Sequence, residues 1–168
     1  MSLFSRTGSL AVQITVLAIV VSGATVAPAG AQETVSISVP VAISFPVTDV
    51  SRSTSGTPDV TTISFSNANL SLGKALRVSV QSDAAAFTLP SGPTISVSNV
   101  SWNNLGANGG IGWNGTLSSS SFALVFQSDP ARTSGHVDLG WTLAAPGSGI
   151  RGGSHQLTIR WKVESITP

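Results

Sequence analysis

The sequence predicts an all-β protein, an immunoglobulin-like two-sheet antiparallel β-sandwich of about eight or nine strands. Three observations carry that expectation. Apolar residues recur with a period of two in short runs, the runs are separated by Gly, Ser, Asn and Pro, and no long run has a helical period. Cysteine is absent, so disulfides cannot staple the fold and a packed core must hold it.

The chain divides into a leading segment, residues 1–31, and one domain, residues 32–168. The leading segment has Arg6 as its positive charge, a largely apolar run from Leu10 to Val21 and a small-residue stretch ending in Ala29-Gly30-Ala31. This is the layout of a secretory signal peptide cleaved after Ala31. The apolar run covers about a dozen residues, interrupted by Gln13 and Thr15, against the roughly 20 that a spanning helix needs. The expectation is therefore an exported protein, extracellular, at the cell surface or in the periplasm, with no membrane insertion after cleavage. No cysteine follows Ala31 to carry a lipid and no L-P-x-T-G motif is present, so the product is expected free or held by contacts.

Within the domain, Val35, Ile37, Val39, Val41, Ile43 and Phe45 alternate with Ser36, Ser38, Pro40, Ala42 and Ser44, which predicts one long strand with six apolar side chains on a face. Pro40 and Pro46 lack backbone donors, so the strand belongs at an edge or beside another chain. Val60 to Ser66 makes the next strand, with Ile63 and Phe65 inward, and Leu76, Val78 and Val80 line a third. Phe87 to Leu89 is short. From Ile95 to Trp102 the phase slips near Asn99, which predicts a bulge. Asn103 to Gly115, rich in Gly and Asn, reads as a wide loop or hairpin carrying Trp113. Three strands follow, with inward rows Phe122, Leu124, Phe126; then Val137, Leu139, Trp141, Leu143; then Leu157, Ile159, Trp161, Val163. The last presents Thr158, Arg160, Lys162 and Glu164 to solvent, charges that also discourage unwanted edge pairing.

The formal net charge is +1, and Arg6 supplies it, so residues 32–168 are neutral. Such a surface lacks the basic patch that nucleic acid requires and the polybasic segment that binds anionic lipid. Catalytic chemistry is not indicated. The available near-neutral bases are His136 and His155, no G-x-S-x-G elbow occurs, and His136 and Asp138 share an exposed strand face opposite Val137 and Leu139. No metal motif and no cofactor motif is present. Of the four tryptophans, Trp102, Trp141 and Trp161 have core phase, leaving Trp113 with Asn103, Asn104 and Asn114 as a candidate sugar-stacking site.

The N-terminal strand Val35 to Phe45 is the leading candidate functional element. It either closes its own sandwich or fills a groove in a neighbouring subunit, where main-chain hydrogen bonds and alternate side chains would supply the contact. Head-to-tail repetition of that contact builds a filament.

The succession of signal peptide, alternating N-terminal strand, Ser/Thr-rich sandwich and closing strand Gln156-Leu157-Thr158-Ile159-Arg160-Trp161-Lys162-Val163 resembles exported bacterial pilin and fimbrial subunits assembled by donated strands. Trp141-Thr142-Leu143 and Trp161-Lys162-Val163 are similar to the paired W-x-L motifs of wall-associated WxL proteins, with Val in place of the second Leu. The resemblance implies a non-enzymatic structural or adhesive subunit. The alternative is a carbohydrate- or wall-binding module whose partner is a surface glycan.

Overall fold

The computed structural model describes residues 10–13, 32–88, 93–150 and 155–168. The expected signal peptide lies outside the described residues apart from one short strand, β1 (Leu10–Gln13). Along the domain follow β2 (Thr34–Ser38), β3 (Ala42–Phe45), β4 (Thr54–Ser55), β5 (Thr61–Asn69) and β6 (Ala75–Ser82), then a 3-10 turn at Val97–Asn99. The remainder comprises β7 (Val100–Asn108), β8 (Gly110–Gly112), β9 (Gly115–Thr116), β10 (Ala123–Ser128), β11 (Gly135–Leu143) and β12 (Ile159–Ile166).

Two antiparallel sheets result, as the period of two requires. The larger runs β2-β5-β11-β7-β9 with β4 also on β11, the smaller runs β12-β6-β10-β8, and β1 pairs with β3. Eleven strands follow β1 among the described residues, more than the eight or nine expected. The excess comes from a division of the first strand and from the short pieces β4, β8 and β9, too brief to show a period.

The core lies between the sheets. Ile63, Phe65, Val100, Trp102, Val137, Leu139, Trp141 and Leu143 face Leu76, Val78, Val80, Val125, Phe126, Ile159 and Trp161, all buried. Phe65 and Phe126 meet across the gap at 5.9 Å. Trp102, Trp141 and Trp161 form a chain of tilted and edge-on rings at 5.4 and 6.5 Å, so the expectation that these three are core is borne out. The Trp141 indole donates to Thr61 Oγ1 at 2.8 Å, and the Trp102 indole to the Trp113 carbonyl at 2.8 Å.

Three local expectations are corrected, and a fourth resolves into one of its two alternatives. The long first strand breaks at Val39-Pro40-Val41 into β2 and β3. The phase slip near Asn99 is resolved by the 3-10 turn, capped by Ser96, whose hydroxyl accepts from the Ser98 amide. The Asn103 to Gly115 segment, expected as a wide loop or hairpin, joins the arms of a hairpin, since Ser101 and Trp102 pair with Thr116 and Gly115 of β9; within it β7 continues on β11 as far as Asn108 and the chain crosses to the other sheet as β8. In β10 the register shifts between Leu124 and Phe126, which turns Val125 inward and leaves Phe122 40% exposed under the Lys162 ammonium.

Candidate functional site

The break at Pro40 separates two strands with different relations to the core. β2 is the end strand of the larger sheet and pairs with β5 in the register Thr34 with Asn69, Ser36 with Ser66, Ile37 with Phe65 and Ser38 with Ser64. The edge placement agrees with what Pro40 implied. Val35, Ile37 and Val39 are half-buried against the margin of the core. The start of the strand is fastened by Glu33, whose carboxylate accepts from the Ser71 amide at 2.9 Å and lies 3.9 Å from Lys74 Nζ. Hydrogen bonds from Ser71, with further help from Ser165 and the Lys74 charge, lower the Glu33 pKa to about 2.

β3, by contrast, is built into the core. Ile43 and Phe45 are each 1% exposed. Ser44 exchanges both backbone hydrogen bonds with Thr57, at 3.0 and 2.7 Å, and the Gly56 amide donates to the Trp141 carbonyl at 2.8 Å. Position 56 needs glycine because a Cβ there would meet Ile43 Cγ2 at 2.9 Å and Trp141 Cβ at 3.2 Å. The backbone of residues 56–57 is thereby drawn close to β11, and Ile43 is set over it.

Val41 belongs to neither half. It is 77% exposed and lines a shallow groove with Pro40, Ala42, Pro58, Val60, Thr61 and Thr62. The six residues expected on one strand face are thus divided: three on the β5 edge, two in the core and one in solvent. Sequence reasoning missed Gly56 and Thr57 as the positions that divide them. The signal available was the glycine in Ser55-Gly56-Thr57-Pro58, which marks a close backbone approach only once its neighbour is known.

The second candidate site is tightly self-bonded. Trp113 is half-buried, its amide donating to the Val125 carbonyl at 2.9 Å. Asn104 Nδ2 donates to the Gly112 carbonyl at 3.1 Å, Asn104 Oδ1 accepts from the Gly106 amide at 3.1 Å, and Asn114 Oδ1 accepts from the Asn104 amide at 2.7 Å. These amides hold β7 against the β8–β9 connection. Asn103 is exposed, its backbone paired with Gly140.

His136 and Asp138 do share the outer face of β11. His136 is exposed between Ser64 and Asn108, whereas Asp138 accepts the Thr62 hydroxyl at 2.6 Å. His155 lies elsewhere, 1% exposed. Among the described residues no group of three or more His, Cys, Asp or Glu is placed to hold a metal ion, and no helix is long and apolar enough to cross a membrane.

The fold defines the class: an antiparallel two-sheet β-sandwich with β2 as an end strand of its larger sheet. The chain matches no protein-family model, and no curated protein is similar to it.

Proposed function

We propose that this is a secreted or surface-displayed, non-enzymatic structural or adhesive subunit that joins its neighbours by donating the N-terminal strand β2. One observation carries the reading: β2 is a half-buried edge strand, separated by a proline break from the part of the chain that enters the core. Moving β2 to the β5 edge of a second copy keeps its register and costs the core none of its fully buried residues. The same pairing then serves between molecules, and its repetition gives an open chain. The reading further takes residues 1–31 to be a signal peptide, which leaves β2 close to the new N-terminus.

The test is the size distribution and negative-stain appearance of the exported protein. Filaments or a ladder of multimers are expected, and Ile37→Asp should abolish them while leaving the protein folded, since it places a charge opposite Phe65. Uniform monomer in the unmutated protein would refute strand donation. A carbohydrate- or wall-binding role at Trp113 is the less supported alternative, because the Asn104 and Asn114 amides are already engaged in holding their own loop.

A further inference from the structure

The outer edge of β3 is a strand-pairing surface distinct from β2. Because Ser44 directs its amide and carbonyl to Thr57, the alternation of an antiparallel strand turns those of Ile43 and Phe45 the other way. On that side lies β1, with Leu10 opposite Phe45 and Val12 opposite Ile43. The edge therefore takes an antiparallel strand, and its occupant belongs to the segment expected to be cleaved. Once residues 1–31 are removed, the Ile43 amide and carbonyl and the Phe45 amide are left without β1, while the Phe45 carbonyl, which also accepts the Val47 amide at 2.9 Å, keeps one lone pair for it. Beside them lies the apolar groove that contains Val41, 77% exposed, and Val60, 49% exposed. Unpaired edges beside exposed apolar side chains attract another strand.

We propose that this edge pairs with the same edge of a second copy, about a two-fold axis at Ser44, and that β1 occupies it in the unprocessed chain. The sequence of the edge is self-complementary. Ile43 and Phe45 both face the core, so with Ser44 on the axis Ile43 of one copy lies opposite Phe45 of the other, with the exposed Val41 just beyond each end of the pair. The offset is even, so inward residues stay opposite inward residues and both sandwiches continue on the same side of the joined sheet. Four main-chain hydrogen bonds form, two for each Ile43–Phe45 pair, and the exposed Val41 side chains are covered. An isologous contact of this kind closes as a dimer, whereas donation of β2 propagates. The inference rests on removal of residues 1–31 and not on donation of β2.

The experiment uses exported Ile37→Asp protein, in which donated-strand polymers cannot form, with its N-terminus read by mass spectrometry. The result expected is a chain beginning at Gln32 that dimerises with concentration in sedimentation, and whose Ile43 and Phe45 amides exchange at least tenfold more slowly in the dimer. Adding Val41→Lys should weaken the dimer at least tenfold without altering the thermal midpoint, since Val41 lies in solvent in the monomer. A chain that keeps residues 1–31, a monomer at every concentration, or a dimer indifferent to Val41→Lys would each overturn the proposal. Should Val41→Lys fail to fold, amide exchange at two concentrations decides. Filaments of the unmutated protein together with monomeric Ile37→Asp would uphold strand donation and reject the β3 contact, so the two ideas fail separately.

Discussion

Trp141 and Trp161 touch edge to face in the core, yet only one of them is held by a hydrogen bond. Trp141 donates to Thr61, whose hydroxyl in turn lies 3.4 Å from the Leu139 carbonyl, while Trp161 Nε1 is buried with no partner. Replacement by Phe therefore has different consequences at the two sites. Trp141→Phe removes ring volume and a buried bond and should cost about 3 kcal/mol. Trp161→Phe removes similar volume but also relieves an unsatisfied donor, and should cost about 1 kcal/mol less. Denaturant midpoints of the two variants measure the difference, and equal losses would show that the Thr61 bond contributes nothing net.

Glu33 supplies a pH-dependent contribution at the same scale. Its folded pKa of about 2 lies below the ordinary glutamate value of 4.5, so its anchoring is complete above about 4.5 and is lost as pH falls towards 2. Because the side chain is only partly shielded, the contribution is kept to about 0.5–1 kcal/mol. Glu33→Gln should lower stability by that amount at pH 7 and flatten the acid limb between about pH 5 and 2. An unchanged acid limb in the variant would mean that Ser71 and Lys74 do not fasten the start of β2.

Among the elements, β10 shows how one extra residue inverts an expectation. The row Phe122, Leu124, Phe126 has a regular period of two, but the register shift between Leu124 and Phe126 brings Val125 and Phe126 both inward, with Val125 0% exposed. Val125→Ala should consequently cost about 2 kcal/mol. Phe122→Ser, which removes a ring 5.7 Å from Lys162 Nζ at the surface, should cost under about 1 kcal/mol. Thermal midpoints that ranked these two in the opposite order would place Phe122 in the core and remove the bulge. The N-terminal strand illustrates the same point in another form. Its alternation from Val35 to Phe45 is unbroken in the sequence, yet Ser44 pairs with Thr57 while Ile37 pairs with Phe65, and one straight strand cannot serve both partners. Pro40, which offers no donor, stands where the chain changes partner.

For the whole molecule, stability rests on apolar burial between two sheets, with no disulfide and little electrostatic support. The ion pairs Arg52–Asp49, Lys74–Glu33, Arg132–Asp129 and Lys162–Glu164 all sit at the surface. Exposed pairs contribute about 0–1 kcal/mol each and are screened by salt. Raising sodium chloride from about 0.05 to 0.5 M should therefore shift unfolding free energy by less than about 1 kcal/mol. A larger loss in equilibrium denaturation would point to long-range charge coupling that the neutral composition of residues 32–168 does not suggest. The two proposed assembly contacts also belong to this scale. β2 and β3 lie on different edges, so if both proposed contacts form, branched or laterally paired filaments are the combined expectation.

The sequence by itself determined the fold class and the cores of β5, β6, β11 and β12, because in those strands each apolar residue recurs at every second position and its phase needs no knowledge of neighbours. It also placed three tryptophans inside, marked the first strand as an edge through its prolines, and singled out the alternating residues from Val35 to Phe45. The tertiary structure decided where that alternation is cut, which residues of β10 turn inward, and that the Asn104 and Asn114 amides are engaged in their own loop. The reason is physical: periodicity records which face of a strand meets apolar surroundings, whereas breaks, bulges and edge pairing depend on which backbone lies alongside. For β3 that backbone is Thr57 on one side and β1 on the other, contacts between residues far apart in the chain that no local pattern records.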